Sequence, residues 1–354
     1  MHAARRLLIV AIMLLPLLAP QLAAGAPARV RDYDLGVVRI ATPGPFGPIP
    51  IRLWGALGVP EAPGPHPIVM VFHGRHGTGC PGGPADTETW PCFRREQRND
   101  LGLRHVVAAL ARRGLVALAP DLNGAFTGGW GEPDDRNRWP RIVNRTLAEV
   151  AAEAAAGGGR FPLALQGRVN LRRIGFLGHS LSGFHSVRSG RRREDNRDPL
   201  KVAAGLGPVR SIFLLAPVES RLRLPDVPVA TVIGSCDGDT GTRGRAYFDR
   251  AGRTPQRIRP AFLVRLERAN HNFFNRTLAR LGDDDAPTGR PPCRPAARPS
   301  AADQRRFLAG AAADFFATTL RGARQPVWMR LGARKPRRLY GLPVRVRRHG
   351  TALE

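Results

Sequence analysis

The sequence contains almost no lysine and few cysteines, and the first shortage bears on what its charge means. Lys201 and Lys335 are the only lysines, so arginine supplies nearly all of the 55 cationic residues behind a net charge of +27. Arginine spread along the whole chain, beside 40 glycines and 33 prolines, indicates a compositional bias and not a dedicated binding patch. No zinc-knuckle, helix-turn-helix or RNP pattern accompanies the charge. We therefore expect no specific nucleic-acid partner.

Long apolar runs are missing beyond the amino terminus, so no later segment is predicted to cross a membrane. At the amino terminus, Arg5 and Arg6 precede an apolar stretch over residues 7–18, and small residues follow up to Ala26. This order is typical of a secretory signal peptide, which we place at residues 1–26. The alternative is an uncleaved anchor. The sequence thus predicts a secreted protein, with association to the cell envelope as a variant of that location.

The four cysteines form an even set without the CxxC spacing of a metal site, so we expect disulfides and no metal. Three pairings are open. The pairing that is local in sequence, which joins Cys80 to Cys92 and Cys236 to Cys293, is the one we prefer. The second bond would lie beside Asp237.

The remaining composition is that of a globular protein, with 43% hydrophobic and 23% charged residues. Two alternating segments near residues 36–40 and 49–54 predict antiparallel strands. Continuous apolar runs follow at 68–72 and 115–119, and further buried strands are predicted at 174–177, 211–215, 229–233 and 261–266, with helical patterns between several of them. Such runs are typical of strands that are covered on both faces. The fold class predicted is α/β, with a mostly parallel central sheet and helices on both faces.

We expect this domain to cover residues 30–322 and a basic tail to follow over residues 323–354. Cations are dense from residue 321 onward, and Glu354 is the only acid there. This pattern predicts a partly ordered, solvated tail, and an anionic envelope surface is a candidate partner for it. The sequence does not indicate an oligomeric state.

The strongest chemical motif is GHSLSG at residues 178–183, directly after a predicted buried strand and before a short helix. A serine on a tight strand-to-helix turn needs small residues two positions before and after it, because the turn brings those backbones together. Gly178 and Ser182 meet this need for Ser180. Ser182 itself is a poorer candidate, since Phe184 would then occupy the crowded position. The alternative for the motif is a Gly/Ser turn without chemistry.

A serine nucleophile requires a base and a carboxylate that orients the base, and both follow Ser180 in the chain. Asp237 comes after a predicted strand in GSCDGD (residues 234–239), where Asp239 is the alternative acid and a calcium-like turn is the alternative role. His271 follows the next predicted strand in ANHNFFN (residues 269–275). The order Ser, acid, His is that of a hydrolase triad.

Two backbone N–H groups are expected to form the oxyanion hole. Leu181, directly after the nucleophile, would provide one. The other would come from HGRHG (residues 73–77), where Arg75 is the first candidate and His76 the second.

Taken together, these motifs resemble the α/β-hydrolase superfamily over about residues 30–322. The segments around Asp237 and His271 further resemble secreted actinobacterial members of that superfamily. The resemblance implies hydrolysis of an ester or related acyl bond without a metal or an organic cofactor. The expected substrate is a small-molecule or lipid-like carboxylic ester. A serine peptidase or amidase with the same triad, and a noncatalytic cationic protein that binds the envelope, are the alternatives.

Three tryptophans, Trp90, Trp130 and Trp139, lie in segments that follow strand ends and should border the crevice. They would either bind an acyl chain or cover the core.

Overall fold

The computed structural model describes residues 26–41, 47–78, 80, 91–92, 96–127, 135–194, 206–282 and 293–350, with the backbone alone at 193–194. The predicted signal peptide, apart from Ala26, lies outside the described residues, as do Trp90 and Trp130. In the described part of the chain, no helix is long and apolar enough to cross a membrane.

A mixed, largely parallel sheet of ten strands runs through the described residues. Its strands are β1 (Ala28–Ile40), β2 (Ile49–Pro60), β3 (His66–Phe72), β4 (Val116–Pro120), β5 (Val169–His179), β6 (Val209–Leu215), β7 (Val229–Gly234), β8 (Ala261–Leu266), β9 (Arg338–Leu339) and β10 (Leu342–His349). Their spatial order is β1-β2-β4-β3-β5-β6-β7-β8-β10-β9. The six central strands, β4 to β8 in this order, are parallel, and the outer strands on both sides are antiparallel.

The helices cover both faces of this sheet. They are α1 (Arg104–Arg112), α2 (Asn123–Phe126), α3 (Asp135–Ala156), α4 (Leu181–Glu194), α5 (Arg245–Gly252) and α6 (Ala301–Arg321). The α/β class predicted from the apolar runs is confirmed. Apolar runs predict this class because a strand that is covered on both faces buries every residue, as β3 does.

Alternate side chains of β3 belong to two separate cores, as the period of a strand requires. Ile68, Met70 and Phe72 pack in the core beneath α3, α4 and α5. Val69 and Val71 pack in the core beneath α1 and α6. Burial of one such side chain contributes about 1.5–3 kcal/mol, so the central strands form a rigid support for the loops at their ends.

Local signals at the ends of α6 also agree with the sequence. Ser300 caps its amino end, with Oγ accepting a hydrogen bond from the Asp303 N–H at 3.1 Å. The helix ends at Gly322, which adopts a left-handed conformation with φ of 71°.

The segment expected as a basic tail differs from that expectation. Trp328 and Met329 are buried in the core beneath α1 and α6, and β10 pairs with β8 from Val344 to His349. The described residues beyond 322 therefore continue the same sheet, and β8 is not its last strand. Along β10, Arg345 and Arg347 alternate with the inward-facing Val344 and Val346, and the Arg348 guanidinium lies over the ring of Phe262, so a dense positive charge is compatible with an ordered strand.

Candidate functional site

Ser180 lies on a tight turn between β5 and α4 at the carboxyl end of a central strand. Its φ angle is 55°, which is uncommon for a residue with a side chain. A Cβ atom added to Gly178 would approach the carbonyl oxygen of Ser182 to 2.3 Å. The turn therefore brings these two backbones together, as the motif predicted. A strained serine on such a turn presents its hydroxyl at the end of the sheet.

The loop after β3 passes directly beside this serine. A Cβ atom added to Gly74 would lie 2.5 Å from Cβ of Ser180, so only glycine allows this approach. Arg75 follows Gly74 with an exposed side chain. Within the described residues, neither the Arg75 N–H nor the Leu181 N–H donates a hydrogen bond. Both backbone donors predicted for an oxyanion hole thus occur beside Ser180 without an acceptor in that part of the chain.

Asp237 is fixed by the loop that follows β7. Its Oδ1 accepts hydrogen bonds from the N–H groups of Asp239, Thr240 and Gly241 at 3.0, 2.7 and 3.1 Å. Its Oδ2 accepts from the Thr240 hydroxyl at 2.9 Å and lies 2.9 Å from Nδ1 of His271. Burial alone would raise the pKa of Asp237, but the hydrogen bonds from His271 and Thr240 outweigh burial and lower it. Asp237 is therefore an ionised acceptor for His271.

His271 lies between the two candidate acids. Asp237 contacts Nδ1, and Oδ2 of Asp239 lies 3.5 Å from Nε2. The Asp237 side chain is buried, whereas that of Asp239 is 55% exposed. A triad carboxylate orients the base through Nδ1 and leaves Nε2 toward the serine. This geometry favours Asp237 as the orienting acid and puts Asp239 at the rim of the site.

Direct contacts join the loop after β7, which carries Asp237, to the loop after β8, which carries His271. The N–H groups of Ser235 and Cys236 donate to the carbonyls of Leu266 and Ala269 at 3.0 and 2.9 Å. Cys236 is also bonded to Cys293. The second disulfide joins Cys80 to Cys92. The described cysteines are thus paired as we preferred from the sequence, and two disulfides are consistent with an extracellular protein.

The sequence predicts no role for the imidazole rings of two histidines beside His271, although His76 is the second candidate for a backbone donor. The ring of His179 lies 4.5 Å from that of His271 between centroids, and the ring of His76 lies 5.2 Å from that of His179. Burial lowers the pKa of both His179 and His76 well below that of a free histidine, and nearby His271 lowers it further. Both rings are therefore neutral at pH 7. Their positions within the two glycine-containing motifs are the only sequence signal that placed them near the site.

The site is shielded from bulk solvent. Ser180, Asp237 and His271 keep 3%, 5% and 1% of their surface exposed. Trp139, one of the three tryptophans expected at the crevice, is fully buried in α3 and packs against Phe72 at 4.7 Å between ring centroids. Of the two roles that we considered for it, the structure supports covering the core.

The calcium-like alternative for residues 237–239 finds no support in this geometry. Three backbone N–H groups already donate to Oδ1 of Asp237, so this oxygen could not also bind a metal ion. Among the described residues, no group of three or more His, Cys, Asp or Glu side chains is arranged to hold a metal ion.

The chain matches no known protein family, and no curated protein matches it significantly. Any functional assignment therefore rests on the motifs and on the geometry above.

Proposed function

We propose that this protein is a secreted serine hydrolase of the α/β-hydrolase fold that cleaves carboxylic esters. The observation that carries the proposal is the 2.9 Å contact between His271 Nδ1 and Asp237 Oδ2 at the end of the sheet that also presents Ser180. Further support comes from the strained turn after β5 and from the donor-bearing loop after β3, which is where this fold builds an oxyanion hole.

In the proposed reaction, Ser180 Oγ attacks the ester carbonyl while His271 Nε2 accepts the hydroxyl proton. The Leu181 and Arg75 N–H groups stabilise the negative charge on the carbonyl oxygen. Collapse of this tetrahedral species expels the alcohol, which takes the proton from His271, and leaves an acyl group on Ser180. Water then attacks the acyl group with the same proton transfers, which releases the acid and restores the serine. Asp237 keeps the imidazole oriented and stabilises its protonated form.

Covalent labelling of the mature protein by a fluorophosphonate probe tests this proposal, beside turnover of short- and long-chain p-nitrophenyl esters. Labelling that is lost in Ser180→Ala supports an activated nucleophile, and the chain-length dependence distinguishes an esterase from a lipase. A folded wild type that is neither labelled nor active would overturn the proposal. Matched p-nitroanilides address the amidase alternative, because the triad does not select the leaving group.

A second candidate function is noncatalytic binding to an anionic envelope surface. A cavity of about 720 Å³ at the amino ends of β5 to β8 favours it, because its lining contains five arginines and one acid. The arginines are Arg172, Arg173, Arg210, Arg259 and Arg321, and the acid is Asp226. Unchanged binding of Ser180→Ala to phosphatidylglycerol vesicles, together with no ester turnover by the wild type, would favour this function over the hydrolase.

A further inference from the structure

The hydroxyl of Ser182 connects the turn that carries Ser180 to the loop that carries Arg75. Ser182 is fully buried, and its Oγ donates to the carbonyl oxygen of His73 at 2.5 Å. The same oxygen accepts the indole N–H of Trp139 at 3.0 Å. An indole N–H can only donate and a carbonyl can only accept, so the direction of both hydrogen bonds is fixed.

The imidazole of His73 extends this connection to the next peptide group. Its Nε2 accepts the N–H of Leu122 at 2.8 Å, so the ring proton is on Nδ1. Nδ1 then donates to the carbonyl oxygen of Gly74 at 2.8 Å. The C=O of Gly74 and the N–H of Arg75 belong to one trans peptide group and point in opposite directions. Holding the Gly74 oxygen therefore also sets the direction of the Arg75 N–H.

We infer that Ser182 is a positioning residue for the oxyanion hole, an inference that rests on the proposed hydrolase function. The two proposed donors, Leu181 and Arg75, come from segments far apart in the chain. Ser182 follows Leu181 directly, and its hydroxyl binds the residue two positions before Arg75. This short path fixes the spacing of the two donors. A glycine at position 182 would fit the turn but could not form the connection.

Position matters here because an oxyanion hole acts through donors that are already in place before the charge develops. Removal of one such donor typically lowers kcat by ~10²–10³. Loss of the Ser182 hydroxyl leaves both donors present but frees the Arg75 loop to move. We therefore expect a smaller loss than removal of a donor would cause.

A matched control is available one turn along the same helix. Ser186 is also fully buried, and its Oγ donates to the backbone carbonyl of Ser182 at 2.7 Å. In the described residues it makes no hydrogen bond to the loop after β3. Ser182→Ala and Ser186→Ala each delete one buried hydroxyl from α4, but only the first breaks the connection to His73. Trp139→Phe removes the indole N–H that donates to Ser182 Oγ, and so tests the other hydrogen bond of this hydroxyl.

The experiment measures kcat, KM and inhibition by an alkyl boronic acid, which forms a tetrahedral adduct with the serine. For Ser182→Ala we expect kcat to fall ~10-fold, KM to change less than twofold, and the boronic acid to bind ~10-fold more weakly. Ser186→Ala should leave all three quantities within twofold of the wild type. Equal effects of the two variants, or a change confined to thermal stability, would overturn the inference.

Amide hydrogen exchange separates this inference from the proposed function. Residues 73–78 should exchange faster in Ser182→Ala than in Ser186→Ala, whether or not the protein hydrolyses esters. An inactive, unlabelled wild type would overturn the hydrolase proposal, and with it the catalytic meaning of the connection. An active wild type whose 73–78 segment exchanges alike in both variants would overturn the role of Ser182 alone.

Discussion

The two ends of the parallel strands in this sheet differ in how firmly their side chains are held. At the carboxyl ends, Ser180, Asp237 and His271 are buried, and the Asp237 carboxylate accepts hydrogen bonds from four described groups besides His271. At the amino ends, the side chains of Arg172 and Arg210 are exposed and make no hydrogen bond or ion pair with described residues. The carboxyl ends therefore carry polar groups that are fixed by hydrogen bonds, whereas these two arginines at the amino ends are loosely held.

This difference separates side chains that must be held at a short distance from a partner from charges that act at long range. A group that must meet another atom within about 3 Å needs partners that restrict it, and burial supplies them. A positive field acts over about 8–10 Å in physiological salt and tolerates mobile side chains. We therefore expect that Arg172 and Arg210 can be replaced without a structural cost, whereas Asp237 and His271 cannot, because their side chains bind each other.

Loss of the proposed nucleophile is the largest effect that we expect. Ser180→Ala should reduce kcat/KM for p-nitrophenyl esters by at least ~10⁴-fold and abolish fluorophosphonate labelling, because no other group can form the acyl-enzyme. Urea unfolding should show little change in stability. Residual labelling of the variant would point to a different nucleophile.

The two acids beside His271 should differ strongly. Asp237→Asn is expected to reduce kcat by ~10³–10⁴-fold, since an amide at Nδ1 stabilises the wrong tautomer of the imidazole. Asp239→Asn should cost less than ~10-fold, because its side chain is half-exposed and lies on the Nε2 side. Steady-state kinetics of both variants decide this, and a larger loss in Asp239→Asn would reverse the assignment of the triad acid.

The disulfide between Cys236 and Cys293 should stabilise the protein more than the disulfide between Cys80 and Cys92. Cys236 and Cys293 are 57 residues apart and Cys80 and Cys92 are 12 apart. Restriction of the unfolded chain predicts losses of about 4 and about 3 kcal/mol when each pair is replaced by serine. Urea unfolding of the two double variants measures the difference. Equal stabilities would indicate that native contacts, such as those between Cys236 and Ala269, hold the loops without the bond.

Acid should destabilise the carboxyl edge before the amino edge. Burial lowers the pKa of His73, His76 and His179 below 6.5, so their neutral forms stabilise the folded state above that pH. This stabilisation is lost as the pH falls from about 6.5 toward the lowered pKa values. Hydrogen exchange at pH 7 and pH 5, corrected for the intrinsic rate, should show faster opening of residues 73–78 and little change in residues 169–173. Uniform exchange across both segments would contradict this prediction.

Substitutions at the amino edge should have the smallest effect. Arg172→Gln combined with Arg210→Gln is expected to change stability by less than about 0.5 kcal/mol and leave ester turnover unchanged. Binding to phosphatidylglycerol vesicles should weaken, and Arg29→Gln, which removes the same type of charge beside Glu61, is the control. An equal loss in the control would show that net charge alone determines the binding.

Local sequence patterns predict that Ser180, Asp237 and His271 lie at the carboxyl edge of the sheet, because each of them comes shortly after a buried strand. The strands before Ser180, Asp237 and His271 are mostly apolar, and parallel strands bring their carboxyl ends to one edge. The hairpin of β9 and β10 is not among the predicted elements, although the sequence contains a strand pattern for it. In residues 342–347, apolar side chains alternate with a proline and two arginines, and Tyr340 and Gly341 both adopt positive φ in the tight turn before them. The density of arginine hid that alternation.

By itself, the sequence determined the α/β class and the tight turn at Ser180, because apolar runs, helical periodicity and the spacing of small residues are patterns among residues that are close together in the chain. Tertiary structure alone decided which aspartate meets Nδ1 of His271, that His76 and His179 surround this imidazole as neutral rings, and that Ser182 binds the loop after β3. These contacts join residues from different strands. Their distances depend on how the whole sheet packs, which no local pattern of residues contains.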